Sequence, residues 1–174
     1  MTRYVAFLRA INVSGRRVTM DALRAPFEAL GLDSVSTYIA SGNVVFDTTG
    51  TTKALQPAIE EQLEQALGYR VEAFVRSAAQ VAALVELEPF TDRADTDTYL
   101  VGFVQRKPTA AERAALVGLN GDADVLVVDG RELHWLIRGK SMDSAITPRA
   151  MDRALGQPIT TRNITMLRKL AANL

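Results

Sequence analysis

Cysteine is missing from the 174-residue chain. Its absence excludes disulfides, thiolate metal sites and cysteine nucleophiles. Histidine occurs once, at His134, which argues against a structural zinc site, so no metal and no cofactor is expected. No apolar run approaches the roughly 18 residues that a membrane span needs. The opening Met1-Thr2-Arg3-Tyr4 enters a strand-like pattern at once, without the apolar segment and cleavage site of a signal peptide. The expectation is a cytoplasmic protein with no membrane partner. Net charge is also missing: 20 basic residues balance 20 acidic ones. No global field therefore draws the chain to nucleic acid or an anionic surface.

What is present is an ordinary globular composition, 48% hydrophobic and 23% charged, sufficient for a core without staples. The length suits one large domain or two of about 80–90 residues each. Charge is unevenly placed. Arg3, Arg9, Arg16 and Arg17 open the chain without an acid, and Glu86 to Asp97 is acidic except for Arg93.

Tyr4 to Arg9 reads as a buried strand, followed by a loop with Ser14-Gly15 as its turn. Thr19 caps a helix with Met20, Leu23, Phe27 and Leu30 at helical spacing, stopped by Gly31. Pro26 predicts a kink or a late start in it. Val35 to Asp47 reads as a hairpin turning at Ser41-Gly42-Asn43. Leu55, Ile59, Leu63 and Leu67 mark a helix ending at Gly68, with Pro57 near its start. A strand over 70–76 completes β-α-β-β-α-β, the ferredoxin-like order. A short helix capped by Ser77 and Gln80 follows, then 88–97 as a linker.

The second half repeats the plan. Thr98 to Gln105 is a strand, Thr109 and Glu112 box a helix, and Asp129-Gly130 joins two strands over 124–128 and 131–138. Thr147-Pro148 opens a helix that Gly156 stops. Only Gln157 to Arg162 stands where the first half has its fourth strand, and a final helix runs from Asn163. Gly68 and Gly156 are 88 positions apart (156 − 68), as are Gly42 and Gly130 (130 − 42). The fold class is α+β: two tandem ferredoxin-like halves of βαββα type with antiparallel sheets, covering 1–87 and 98–174.

Two loops could hold a ligand. The first, Arg9 to Arg17, leaves a strand and enters a helix, so amides plus Arg9, Arg16 and Arg17 suit an anion. It is not a P-loop, since no Gly-Lys-Ser/Thr follows, and a plain surface loop explains it as well. The second is Thr160-Thr161-Arg162-Asn163, with Lys140-Ser141 as a possible contributor, where helix capping is the competing explanation. The tip Ser41-Gly42-Asn43 is explained by positive φ. His134 alternates with Leu133 and Trp135 and has no partner near it in sequence, so catalytic residues stay unknown.

The residues Arg9-Ala10-Ile11-Asn12-Val13-Ser14-Gly15, then Met20, Leu23, Phe27, Glu28, Leu30 and Gly31, carry a resemblance. It is strongest over Thr37-Tyr38-Ile39-Ala40-Ser41-Gly42-Asn43-Val44-Val45-Phe46 and returns at Thr161-Arg162-Asn163. This set resembles the bacterial domain-of-unknown-function 1697 family over nearly the whole chain. The resemblance implies a small cytosolic ferredoxin-like protein and supplies no activity. It directs attention to Arg9, Asn12 and Gly15, to Ser41, Gly42 and Asn43, and to Arg162 and Asn163. Ala10 and Ser14 stand where the family has glycine, and Ile164-Thr165 where it has Trp-Asn.

In a β-α-β-β-α-β unit the first and third strands are antiparallel neighbours. The start of strand three then meets the end of strand one, and Asn43 should lie close to Arg9 and Asn12. The ligand set expected is Arg9, Asn12, Ser14, Gly15, Arg16, Ser41, Gly42 and Asn43, with Lys140, Arg162 and Asn163 from the second half. The function expected first is binding of a small anion, a nucleotide or phosphate metabolite. An enzyme acting on such a substrate is the alternative, then a partner-binding module. Nucleic acid ranks last, because the RNA-recognition signature is absent. Oligomeric state is not legible.

Overall fold

A computed structural model describes residues 1–11, 17–39 and 42–174. It contains two compact units, Met1–Leu84 with Leu170–Leu174, and Val85–Lys169. The segment 88–97, expected as a linker, falls inside the second unit. Phe90 anchors it there, buried and edge-on to Tyr99 at 5.2 Å, while Asp92 and Asp97 pair with Arg138.

The first unit orders its strands β2-β3-β1-β4, the ferredoxin-like pattern. The strands are β1 (Thr2–Leu8), β2 (Asp33–Thr37), β3 (Asn43–Thr48) and β4 (Ala73–Ser77). Helices α1 (Met20–Ala29) and α2 (Thr52–Leu67) cross between them, and α3 (Ala78–Glu86) follows β4. The strand period of two sorts side chains by face. Ala6, Leu8, Val44, Phe46, Ala73 and Val75 join Leu23, Phe27, Ile59 and Leu63 of the helices in one core. Val5, Phe7 and Phe74, on the other face, are also fully buried.

The second unit repeats that order as β6-β7-β5-β8, with β5 (Thr98–Val104), β6 (Asp124–Asp129), β7 (Glu132–Ile137) and β8 (Ile159–Asn163). Helices α4 (Ala110–Val117), α5 (Pro148–Leu155) and α6 (Ile164–Ala171) accompany them. The fourth strand is not curtailed: β8 pairs with β5 from Leu100↔Asn163 to Val104↔Ile159. The second half is therefore a full βαββαβ unit, because Ile159 has a core to enter alongside Leu155 and Met151.

Most punctuation acts as read. Thr19 and Thr147 cap their helices, Thr109 and Glu112 form a reciprocal box, and Gly68 and Gly156 end helices in the left-handed region. Ser77 and Gln80 make the expected exchange of bonds. Three readings change. Helix α1 starts on time and runs through Pro26, whose buried ring joins the core side, and α2 runs through Pro57 beyond its first turn. Each proline removes one helical N–H bond, which the packing of the apolar face outweighs. The β6–β7 loop is Gly130-Arg131, with Asp129 paired to Glu132. Asp129 stays in the ladder because Gly130 alone supplies the positive φ, +58°.

Candidate functional site

The end of β1 and the start of β3 meet as the topology predicts. Phe7 is the register partner of Asn43, and the Leu8 amide donates to the Gly42 carbonyl at 2.8 Å. Gly42 is needed twice over. Its φ is +74°, and a Cβ there would sit 3.2 Å from Ile11 Cγ1 and 3.3 Å from Leu8 Cβ. Arg9 extends the ladder by donating its amide to the Glu72 carbonyl at 3.0 Å. Two residues beyond Phe7, it is a diagonal neighbour of Asn43, a relation that separates Cα atoms by about 7–8 Å.

Asn43 is fully buried. Its Nδ2 donates to the Tyr38 carbonyl at 3.0 Å, and the Tyr38 amide donates back to the Asn43 carbonyl at 2.9 Å. Asn43 thus closes the hairpin. Residues Ala10 and Ile39 hold φ of +57° and +58°, a region unfavourable for alanine and more so for a β-branched residue. Ile39 is exposed. On the other side, the Tyr69 hydroxyl donates to the Ile11 carbonyl at 3.3 Å, fixing the start of the loop. Asn12, Ser14, Gly15, Arg16 and Ser41 lie outside the described residues.

The remaining expected residues belong to the second unit. Arg162, opposite Val101 on β8, is buried. Its Nη1 donates to Thr160 Oγ1 at 2.9 Å and to the Thr161 carbonyl at 2.8 Å. Burial lowers its pKa to about 10. Asn163 is exposed, and its Oδ1 accepts the Thr165 amide at 2.8 Å, the capping role that competed with ligand binding. Lys140 is exposed, and its amide donates to Asp143 Oδ2 at 2.7 Å, opening a 3₁₀ turn over Ser141–Asp143.

Two polar clusters escaped the sequence. His134 lies 1% exposed, with Nδ1 2.6 Å from the Tyr99 hydroxyl and Nε2 lacking a partner among the described residues. Burial pushes the Tyr99 phenol up to about 12 and the imidazole down. Asp124 is as deeply buried and accepts bonds from Trp135 Nε1, Ser144 Oγ and the Ala145 amide. Their partners lie across strands or loops, where no sequence spacing announces them. Among the described residues, no three acidic or histidine side chains gather as a metal site.

A family model described as "Protein of unknown function (DUF1697)" matches residues 1–134. No curated protein matches. Among solved structures, the conserved bacterial protein SP0830 from Streptococcus pneumoniae is similar along the full length. It shares 25% identity over 100% of this chain and 98% of that one, with a TM-score of 0.78.

Proposed function

Since the chain belongs to the DUF1697 family of unknown function, whose name assigns no reaction, we propose a role from the geometry of the first unit: it binds a small anion there, a nucleotide or phosphate metabolite. The observation that carries this reading is the bond from the Leu8 amide to the Gly42 carbonyl. It straps Gly42 to the end of β1, so the backbone at Arg9 lies beside the start of β3. Guanidinium groups bind phosphate in bidentate fashion with charge-assisted hydrogen bonds. Strained backbone at Ala10 and Ile39, on both flanks of the locus, fits a place where geometry is held for a ligand. The Asn43 lock supplies rigidity, which reduces the ordering cost of binding.

Titration calorimetry with inorganic phosphate, adenosine monophosphate and a sugar phosphate tests the proposal, beside thermal shifts. A ligand present at a hundredfold its Kd stabilises a protein by about 2.7 kcal/mol. The expected result is binding that weakens at least about tenfold in Arg9→Ala and Arg16→Ala, and weakens with added salt. Equal binding by the wild type and both variants, or no heat with any of the three anions, would refute the site.

A further inference from the structure

The first unit carries a concavity on the face of its sheet away from α1 and α2. It encloses about 310 Å³, near the lower end of small-molecule sites. Val45 lies in its lining, Ser34, Ser36, Thr37 and Tyr38 form one wall, and Leu170 and Asn173 form another.

The outer strand is deformed where it lines this groove. Asp33 pairs with Asp47 and Ser36 with Val45, so β2 takes three steps while β3 takes two. The bulge brings Ser34 to φ +51°, a conformation that disfavours a residue with a Cβ. Bulges of this kind re-aim side chains next to binding sites. Here the bulge turns the Ser34 hydroxyl toward Asp47, which it helps the Arg3 guanidinium hold below the usual carboxylate range. Arg3 meets Asp47 through two bonds of 2.9 Å, and its remaining Nη1 reaches the Leu174 carbonyl at 3.2 Å. Arg3 and Asp47 offset each other as a pair at this end of the groove, and Ser34, Ser36, Thr37 and Asn173 add hydroxyls and a carboxamide to its lining.

The repeat offers a comparison. Val5 pairs with Val45, and Val101 pairs with His134, so His134 holds the place of Val45; by the same register Tyr99 holds that of Arg3. In the second unit this place is filled by the chain itself: the Phe90 ring stands edge-on to Tyr99, and the Arg93 guanidinium lies 5.5 Å above its centre. In the first unit the corresponding place is open.

We infer that the groove over Val45 binds a neutral polyhydroxylated ring, a monosaccharide unit, with its hydroxyls on Ser34, Ser36 and Asn173 and its C–H face on Val45 and Leu170. The neutralised Arg3–Asp47 pair disfavours an anion, which distinguishes this ligand from the one proposed at Arg9.

Amide-detected NMR titration of the full chain with glucose, galactose and ribose tests the inference. Glycerol and inorganic phosphate serve as contrasts. The expected outcome is millimolar binding of at least one sugar, with shifts centred on Ser34 to Thr37 and Val45. Ser36→Trp, which fills the groove from an exposed position, and Asn173→Ala should each weaken that binding at least about fivefold, while Arg9→Ala leaves it unchanged. Circular dichroism checks that both variants fold. No shift at these amides with any sugar at about 100 mM, two decades above a millimolar Kd, would overturn the inference. So would larger shifts with phosphate than with every sugar, or undiminished sugar binding in both groove variants.

Discussion

Lowering the pH from about 7.5 to about 5.5 should destabilise the second unit through His134 alone. Tyr99, a neutral phenol at these pH values because burial raises it to about 12, can donate its proton to Nδ1. The imidazole proton then sits on Nε2, which has no partner among the described residues. A second proton would have to enter at Nδ1, so that two donors face each other across 2.6 Å. Asp129 and Glu132 favour the charged ring, but desolvation is the larger effect and the native pKa lies below 6.5. In the unfolded chain the ring titrates near 6.5. Stability from the neutral ring is therefore complete above about pH 6.5 and falls as the unfolded chain takes up its proton, at up to about 1.4 kcal/mol per pH unit, until the native pKa is passed. The depressed carboxylates, Asp47, Asp97 and Glu112, act lower, below their unfolded values near 4. With one histidine in the chain, the window is uncluttered. Urea unfolding followed by the fluorescence of Trp135, the single tryptophan, reads this unit. Wild type should lose up to about 1.4 kcal/mol by pH 5.5, and His134→Gln should lose none over that range. Parallel losses in the two proteins, or an NMR titration of His134 with a pKa of 6.5 or higher, would refute the reasoning.

Asp124→Ala removes the acceptor for an indole, a hydroxyl and an amide, all near a carboxylate 1% exposed. The expected cost is about 3 kcal/mol in urea unfolding, since stranded buried donors lose about 1–3 kcal/mol each at most and partly relax; a loss under about 0.5 kcal/mol would show that solvent replaces the carboxylate. Gly102→Ala places a Cβ 2.4 Å from Ile159 Cδ1 and 3.4 Å from Leu133 Cβ, and should cost about 1–3 kcal/mol by overpacking. Combined with Ile159→Ala, the alanine gains room, so the double variant should be more stable than the sum of the single losses predicts, by at least about 0.5 kcal/mol; strict additivity would contradict the contact.

The elements that were legible in the sequence are those whose signal is local. Thr109 and Glu112 lie three apart because a capping box spans one helical turn. Gly68 and Gly156 end helices because left-handed φ disfavours other residues. The meeting of the end of β1 with the start of β3 followed from topology, since the two strands are antiparallel neighbours. What Asn43 does once it arrives there did not follow. A buried asparagine bonding the carbonyl of Tyr38 and an exposed one facing a ligand are the same letter. Nor could Tyr99 and His134 be paired from sequence, because they lie on different strands and meet diagonally. The groove over Val45 depends on a bulge whose extra residue, Ser34, is neither glycine nor asparagine, so no turn signal marks it.

The two halves share little sequence yet keep one register, and pairwise compensation explains how. Val5 faces Arg76 and Val101 faces Arg162, and both arginines are buried on the face away from the core helices. Each donates Nη1 to the carbonyl of the residue before it, Val75 or Thr161. Elsewhere the same places exchange volume. Ala6 and Ala73 in one unit are matched by Gly102 and Ile159 in the other, where the missing Cβ makes way for the larger side chain. The hairpin glycines, equally spaced with the helix stops in sequence, are not equivalent at all: Phe7 pairs with Asn43 and Phe103 with Glu132, which sets Gly42 against Arg131 and leaves Gly130 one residue early. A shorter loop in the second unit absorbs that shift, because strand register is fixed by which face must be buried, while loop length is free to change. Identity between halves is therefore a poor measure of their kinship, and the pairing register a good one.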